Sequence, residues 1–138
     1  MMSRKLLIGS LAIAIALPLW GQGKKTIVEK GIVTRTVEEY FIAEGMDEPV
    51  VESVEKYNEE GELAEVQEFN RKGELKKWER YGYDEEGNLV EEVFLDHRGK
   101  VERIERTIYK DGLKAEKHYL DHRGKLYKKK VYTYEYRQ

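Results

Sequence analysis

Glycine recurs in this chain at intervals that few folds accommodate. Gly61, Gly73, Gly87, Gly99, Gly112 and Gly124 are separated by 12, 14, 12, 13 and 12 residues. The units around them read "YNEEGEL" (57–63), "FNRKGEL" (69–75), "YDEEGNL" (83–89), "LDHRGKV" (95–101), "YKDGL" (109–113) and "LDHRGKL" (120–126). Asn or Asp comes first, where its side chain bonds the backbone two residues on. Two polar residues follow, then a glycine able to take the left-handed conformation. This is a type I turn closed by a glycine bulge, a common hairpin connection. "YKDGL" lacks one residue, and Asp111-Gly112 suits the tighter type I′ turn. The connecting segments, roughly seven to ten residues rich in Tyr, Val, Ile, Phe and Trp, are short for helices and right for strands.

Successive hairpins predict an all-β, antiparallel meander. Strands are expected near 26–29, 32–42, 50–57, 62–69, 74–83, 89–95, 100–109, 113–120 and 125–136, with Gly31 and Pro49 as punctuation and 43–49 as the longest loop. No helix is expected beyond an N-terminal signal. The residue two after most turn glycines is apolar (Leu63, Leu75, Leu89, Val101, Leu126), and an aromatic or leucine precedes the turns (Phe69, Tyr83, Leu95, Tyr109, Leu120). Val66, Trp78, Ile104 and Phe94 are expected on the opposite face, with charge filling much of both. A sandwich or barrel needs one wholly apolar face. The thin core here favours an open, twisted sheet, with a small barrel as the alternative.

The "Y-D-x-x-G-N-L" of residues 83–89 and its variants resemble the YD repeats of the RHS family of bacterial surface and toxin-shell proteins. They are also similar to MORN-like repeats, and to small exported bacterial proteins of unknown function built from such units. The resemblance covers about residues 50–130 and implies a β-hairpin repeat. Its matched residues are turn and packing residues, so it implies no catalytic role, and six turns are too few to enclose a cargo as RHS shells do.

The first 23 residues have the form of a signal peptide. Arg4 and Lys5 precede an apolar run from Leu6, and Pro18 ends it before Gly21 and Gly23, which offer cleavage points. The stretch from Leu6 to Trp20 is shorter than the roughly 20 residues a membrane-spanning helix needs. Residues 24–138 are then the mature domain, exported to periplasm, cell surface or medium. The chain has no cysteine, which excludes disulfides, thiol nucleophiles and a cysteine-linked lipid anchor.

The net charge of −2 conceals a split. Residues 24–69 carry 5 basic and 13 acidic side chains, a balance of −8, and residues 70–138 carry 18 and 14, a balance of +4. In a meander, alternate turns share an end. "NEEG", "DEEG" and "KDG" would form an acidic rim, opposite "NRKG", "DHRG" and "DHRG". Arg71, Lys72, His97, Arg98, Lys100, His122, Arg123 and Lys125 then make a rim suited to an anionic partner. Adjacent tips on that rim are two strand spacings, about 10 Å, apart. His97 and His122 could therefore approach one metal ion, but Asp96 and Asp121 are the ordinary first residues of such turns. The turn reading is preferred and no metal or cofactor is expected.

No Gly-x-Ser-x-Gly elbow, P-loop or His-Glu-x-x-His is present, and an enzyme is not expected. Lys128–Lys130 interleaved with Tyr127, Tyr132, Tyr134 and Tyr136 superficially suits single-stranded nucleic acid. Export and acidity argue against it, and lysines commonly guard a sheet edge. The expectation is a non-catalytic interaction module for an envelope or extracellular component. A passive structural protein, self-associating by strand edges, is the alternative.

Overall fold

The computed structural model describes residues 22–138. Residues 1–21, and so nearly all of the expected signal peptide, lie outside the described residues. A short helix, α1 (Gln22–Lys30), leads into β1 (Thr34–Glu39) and a 3-10 turn at Ile42–Glu44. Then follow β2 (Val50–Tyr57), β3 (Leu63–Phe69), β4 (Leu75–Tyr83), β5 (Leu89–Leu95), β6 (Val101–Lys110), β7 (Leu113–Asp121) and β8 (Leu126–Val131). The eight strands form one antiparallel sheet in chain order, β1 to β8, not closed into a barrel.

The turns are built as the sequence demands. In five of them the glycine N–H bonds the carbonyl of the leading Asn or Asp, at 2.9–3.1 Å from Gly61 to Gly124. These glycines have φ of 78° to 83°, the left-handed region that L side chains rarely adopt. In the shortened turn Asp111 (φ 53°) and Gly112 (φ 78°) are both left-handed, the signature of type I′.

A second regularity lies one pair inside every turn. Tyr57 faces Leu63 but Lys56 faces Glu65, so Ala64 has no opposite residue. The same one-residue shift leaves out Lys76, Val90, Glu102, Ala115 and Tyr127 in the following hairpins. Such bulges increase local twist and re-aim side chains. They also correct an expectation about the faces. A regular strand would put Leu63 and Val66 on opposite faces, but the bulge at Ala64 returns both to one, with Tyr57 and Glu55.

The apolar residues thereby divide. Flanks of the acidic-end turns (Tyr57, Leu63, Tyr83, Leu89) share a face with Val66 and Phe94. Flanks of the basic-end turns (Phe69, Leu75, Leu95, Val101, Leu120) share the other with Trp78 and Ile104. The core is consequently two thin patches. Among the described residues Tyr57, Val66, Leu95, Tyr119 and Leu120 are buried within the sheet, at 5–7% exposure, and no side chain is completely enclosed.

The segment expected as a strand at 26–29 is helix α1, so a helix does exist beyond the signal region. Its C-terminus explains why. Gly31 is left-handed (φ 62°); its N–H bonds Val28 O at 3.1 Å, and Ile32 N–H bonds Ile27 O at 2.9 Å. That pair is a Schellman cap, in which glycine ends a helix. Lys25 and Glu29 pair at 3.7 Å one turn apart. The helix docks on the first hairpin turn, where Ile27 is buried and Gly61 lies beneath Val28 and the Lys24 carbonyl. The expected strand 32–42 ends at Glu39, and the expected 125–136 at Val131.

Candidate functional site

The repeated Asp-His-Arg stretches sit at turn tips, as expected. Asp96 Oδ1 accepts N–H bonds from Arg98 (2.8 Å) and Lys100 (2.9 Å). Asp121 Oδ1 accepts them from Arg123 and Lys125, both at 2.9 Å. Asn70 does the same for Lys72 and Glu74. These backbone donors, that of Lys100 foremost for Asp96 and of Lys125 for Asp121, hold both carboxyl groups below the usual aspartate range. The aspartates thus serve the turns, and the side chains between them project outward. His97, Arg98, His122 and Arg123 are all exposed.

The rim is not uniform. Arg71 is already engaged: its guanidinium pairs with Glu44, lies 4.2 Å over the Phe41 ring and approaches Met46 Sδ at 3.8 Å. The loop after β1 therefore covers the first basic tip. The sequence marks 43–49 as the longest loop, and the structure shows what it holds: Glu44 and its neighbours Phe41 and Met46 engage Arg71. Lys72, Arg98, Lys100, Arg123 and Lys125 are exposed, and among the described residues none has a salt bridge. One tip has a floor, because Trp78 lies against Gly99; an added Cβ there would meet the ring at 3.0 Å. Trp78 Nε1–H is fixed in turn by Glu65 Oε1 at 2.6 Å.

At the opposite end Asp84, Glu85, Glu86 and Asp111 line an open cleft with Tyr109 and Gly112. These turns are tied together in a way the sequence reading missed. Tyr83 Oη–H donates to Leu63 O (2.8 Å), Tyr109 to Leu89 O (3.3 Å) and Tyr134 to Lys114 O (2.6 Å), each across 20 residues. The signal was present as tyrosines recurring at 83, 109 and 134, where Phe69, Leu95 and Leu120 stand at the basic end.

Charge inside the sheet is mostly paired. Glu55 is buried and accepts from Arg35 Nε (2.8 Å), Arg35 Nη2 (2.6 Å) and Tyr57 Oη. Glu105, also buried, meets Lys117 (2.9 Å) and Arg103 (3.3 Å). Among the described residues no group of three or more His, Cys, Asp or Glu is arranged to hold a metal ion. No family model and no curated protein matches this chain. The likeness to YD and MORN-like repeats therefore rests on the quoted turn motifs.

Proposed function

We propose that this chain is an exported, non-catalytic interaction module whose basic rim engages an anionic component of the envelope or its surroundings. The observation that carries the reading is the row of cations left without salt bridges at one end of the sheet. Elsewhere carboxylates neutralise many of the cations. At the tips of 96–99 and 121–124, Arg98, Lys100, Arg123 and Lys125 face solvent with His97 and His122. A row of one sign raises the local concentration of an opposite-signed partner and speeds encounter. The tips stand in a line without converging, which suits an extended anionic surface better than a compact anion in a pocket.

The test is capture from the cell envelope at low and high salt. Arg98→Glu with Arg123→Glu should abolish a salt-sensitive partner. Arg71→Glu should weaken capture less, because that guanidinium is already held by Glu44. Retention unchanged by the double reversal would sink the reading.

A further inference from the structure

We infer that the C-terminal edge strand is an assembly site for β1 of a second copy of this chain, extending the sheet from molecule to molecule. This inference is independent of the anionic partner proposed for the rim.

The C-terminal strand follows the course of an interior strand. Tyr134 Oη–H clamps Lys114 O, as Tyr109 clamps Leu89 O 25 residues earlier. Tyr132 N–H still reaches Ala115 O at 3.0 Å. The chain beyond β7 thus repeats the path of β6, but among the described residues no strand covers on β8 the flank that β7 covers on β6. All six residues of β8 are exposed. Exposed large hydrophobics gather in the same places. Among the described residues Leu126, Tyr127, Val131, Tyr134 and Tyr136 lie in or just after β8, Val33 and Tyr40 flank β1, and none lies in β2–β5.

Three lysines on an edge ordinarily guard it. Here they fold back onto the sheet. Lys128 Nζ lies 4.0 Å and Lys130 Nζ 5.6 Å from the Tyr119 ring centre, and Lys129 Nζ sits 3.7 Å from Glu116. Among the described residues no strand pairs with the outer backbone groups. Tyr132, and by alternation Lys128 and Lys130, direct their N–H groups toward β7, so those of Lys129 and Val131 point away from the sheet.

Charge and direction choose the occupant. Pairing β8 with its own copy would set the lysine triplet against itself. β1 (TRTVEE) brings Glu38 and Glu39 and runs from the acidic end to the basic end, antiparallel to β8. Adding a copy in this way continues the meander. Its contact is heterologous, so addition does not stop at a dimer.

The test is light scattering across a concentration series, on the chain recovered after expression with its own N-terminal segment. Species larger than a dimer should accumulate as concentration rises. Val131→Pro removes an outward N–H while sparing the inner ladder, and Thr36→Pro does the same on β1, where Val33 O faces β2. Each variant alone should be monomeric with an unchanged circular dichroism spectrum. Mixed, they should give a one-to-one dimer and nothing larger, since one retains β1 and the other β8. If either proline disturbs folding, Glu38→Lys, at an exposed position, should weaken association about tenfold. A wild-type chain monomeric throughout would overturn the inference. So would assembly lost in Val131→Pro but intact in Thr36→Pro, which would mean pairing of β8 with itself.

Discussion

The two ends of the sheet are made from the same turn and held in different ways. At the acidic end, tyrosine hydroxyls tie each turn to its neighbour and α1 lies over the first. At the basic end, Phe69, Leu95 and Leu120 supply no hydroxyl tie; among the described residues the first tip is held through Arg71 and the 96–99 tip rests on Trp78. One end is fastened and uncharged work is done there by hydrogen bonds; the other exposes cations on stiff but separate supports. The turn motif alone therefore decides geometry, and the residues flanking it decide how firmly each end is held.

The sharpest way to break this contrast uses two glycines with nearly the same backbone, Gly61 (φ 78°) and Gly73 (φ 79°). Alanine at either should cost about 1–2 kcal/mol for the left-handed conformation. At Gly73 an added Cβ meets nothing within 4 Å. At Gly61 it would stand 2.7 Å from Val28 Cγ2 and 2.8 Å from Lys24 O, so Gly61→Ala should lose a further ~1–3 kcal/mol through overpacking. Chemical denaturation of the two variants measures the difference. Equal losses would mean that the helix contributes nothing to the acidic end.

The next comparison concerns the hydroxyl ties. Tyr83→Phe and Tyr109→Phe should each cost about 0.5–1.5 kcal/mol, the ordinary worth of one hydrogen bond. Tyr83, with the shorter contact, should lose more. Amide exchange should quicken around Leu63 and Leu89, while the turns at 96–99 and 121–124 keep their protection. Uniform quickening at both ends would show that the ties do not act locally.

How much of this was legible follows from which residues carry it. The hairpins were, because Asn or Asp followed by two polar residues and then glycine admits few backbone paths. Even the shortened turn at Asp111-Gly112 was readable. The bulges were not, since Ala64, Lys76, Val90, Glu102, Ala115 and Tyr127 have no chemistry in common; their position is set by pairing. Missing them put Val66 and Leu63 on different faces. Helix α1 was hidden because a glycine in Gly31's place ends a helix as readily as it separates strands. Of the rim, the basic tips were visible in the alternation of turn charges. The capture of Arg71 by Glu44 and Phe41 depends on how an irregular loop folds back, which no periodicity encodes.

The smallest effect separates two kinds of carboxylate and should reverse sign with pH. Asp84, Asp96 and Asp121 have their pKa values lowered in the fold by backbone N–H donors, those of Asn88, Lys100 and Lys125 first. A lowered folded-state pKa contributes stability above the unfolded value, here 3.8, that is lost as pH falls through the folded one. Glu92 behaves oppositely. Burial raises its pKa above 4.5, Glu105 and Glu79 add to the rise, and Lys117 and Lys77 oppose it. Glu92 faces Glu105 directly in the β5–β6 ladder, and the nearby cations are spent on Glu105, Glu79 and Glu68. Its ionised form is therefore disfavoured in the fold, and stability should rise as pH falls from neutrality through the raised pKa, before the turn aspartates reverse the trend. Glu92→Gln should gain about 0.2–1 kcal/mol at neutral pH, the scale of one like-charge pair across strands. It should also flatten the rise and leave the fall at lower pH intact. A neutral-pH loss in that variant would mean that Lys117 serves Glu92 more than Glu105, and that the row Glu79, Glu92 and Glu105 is held as one network.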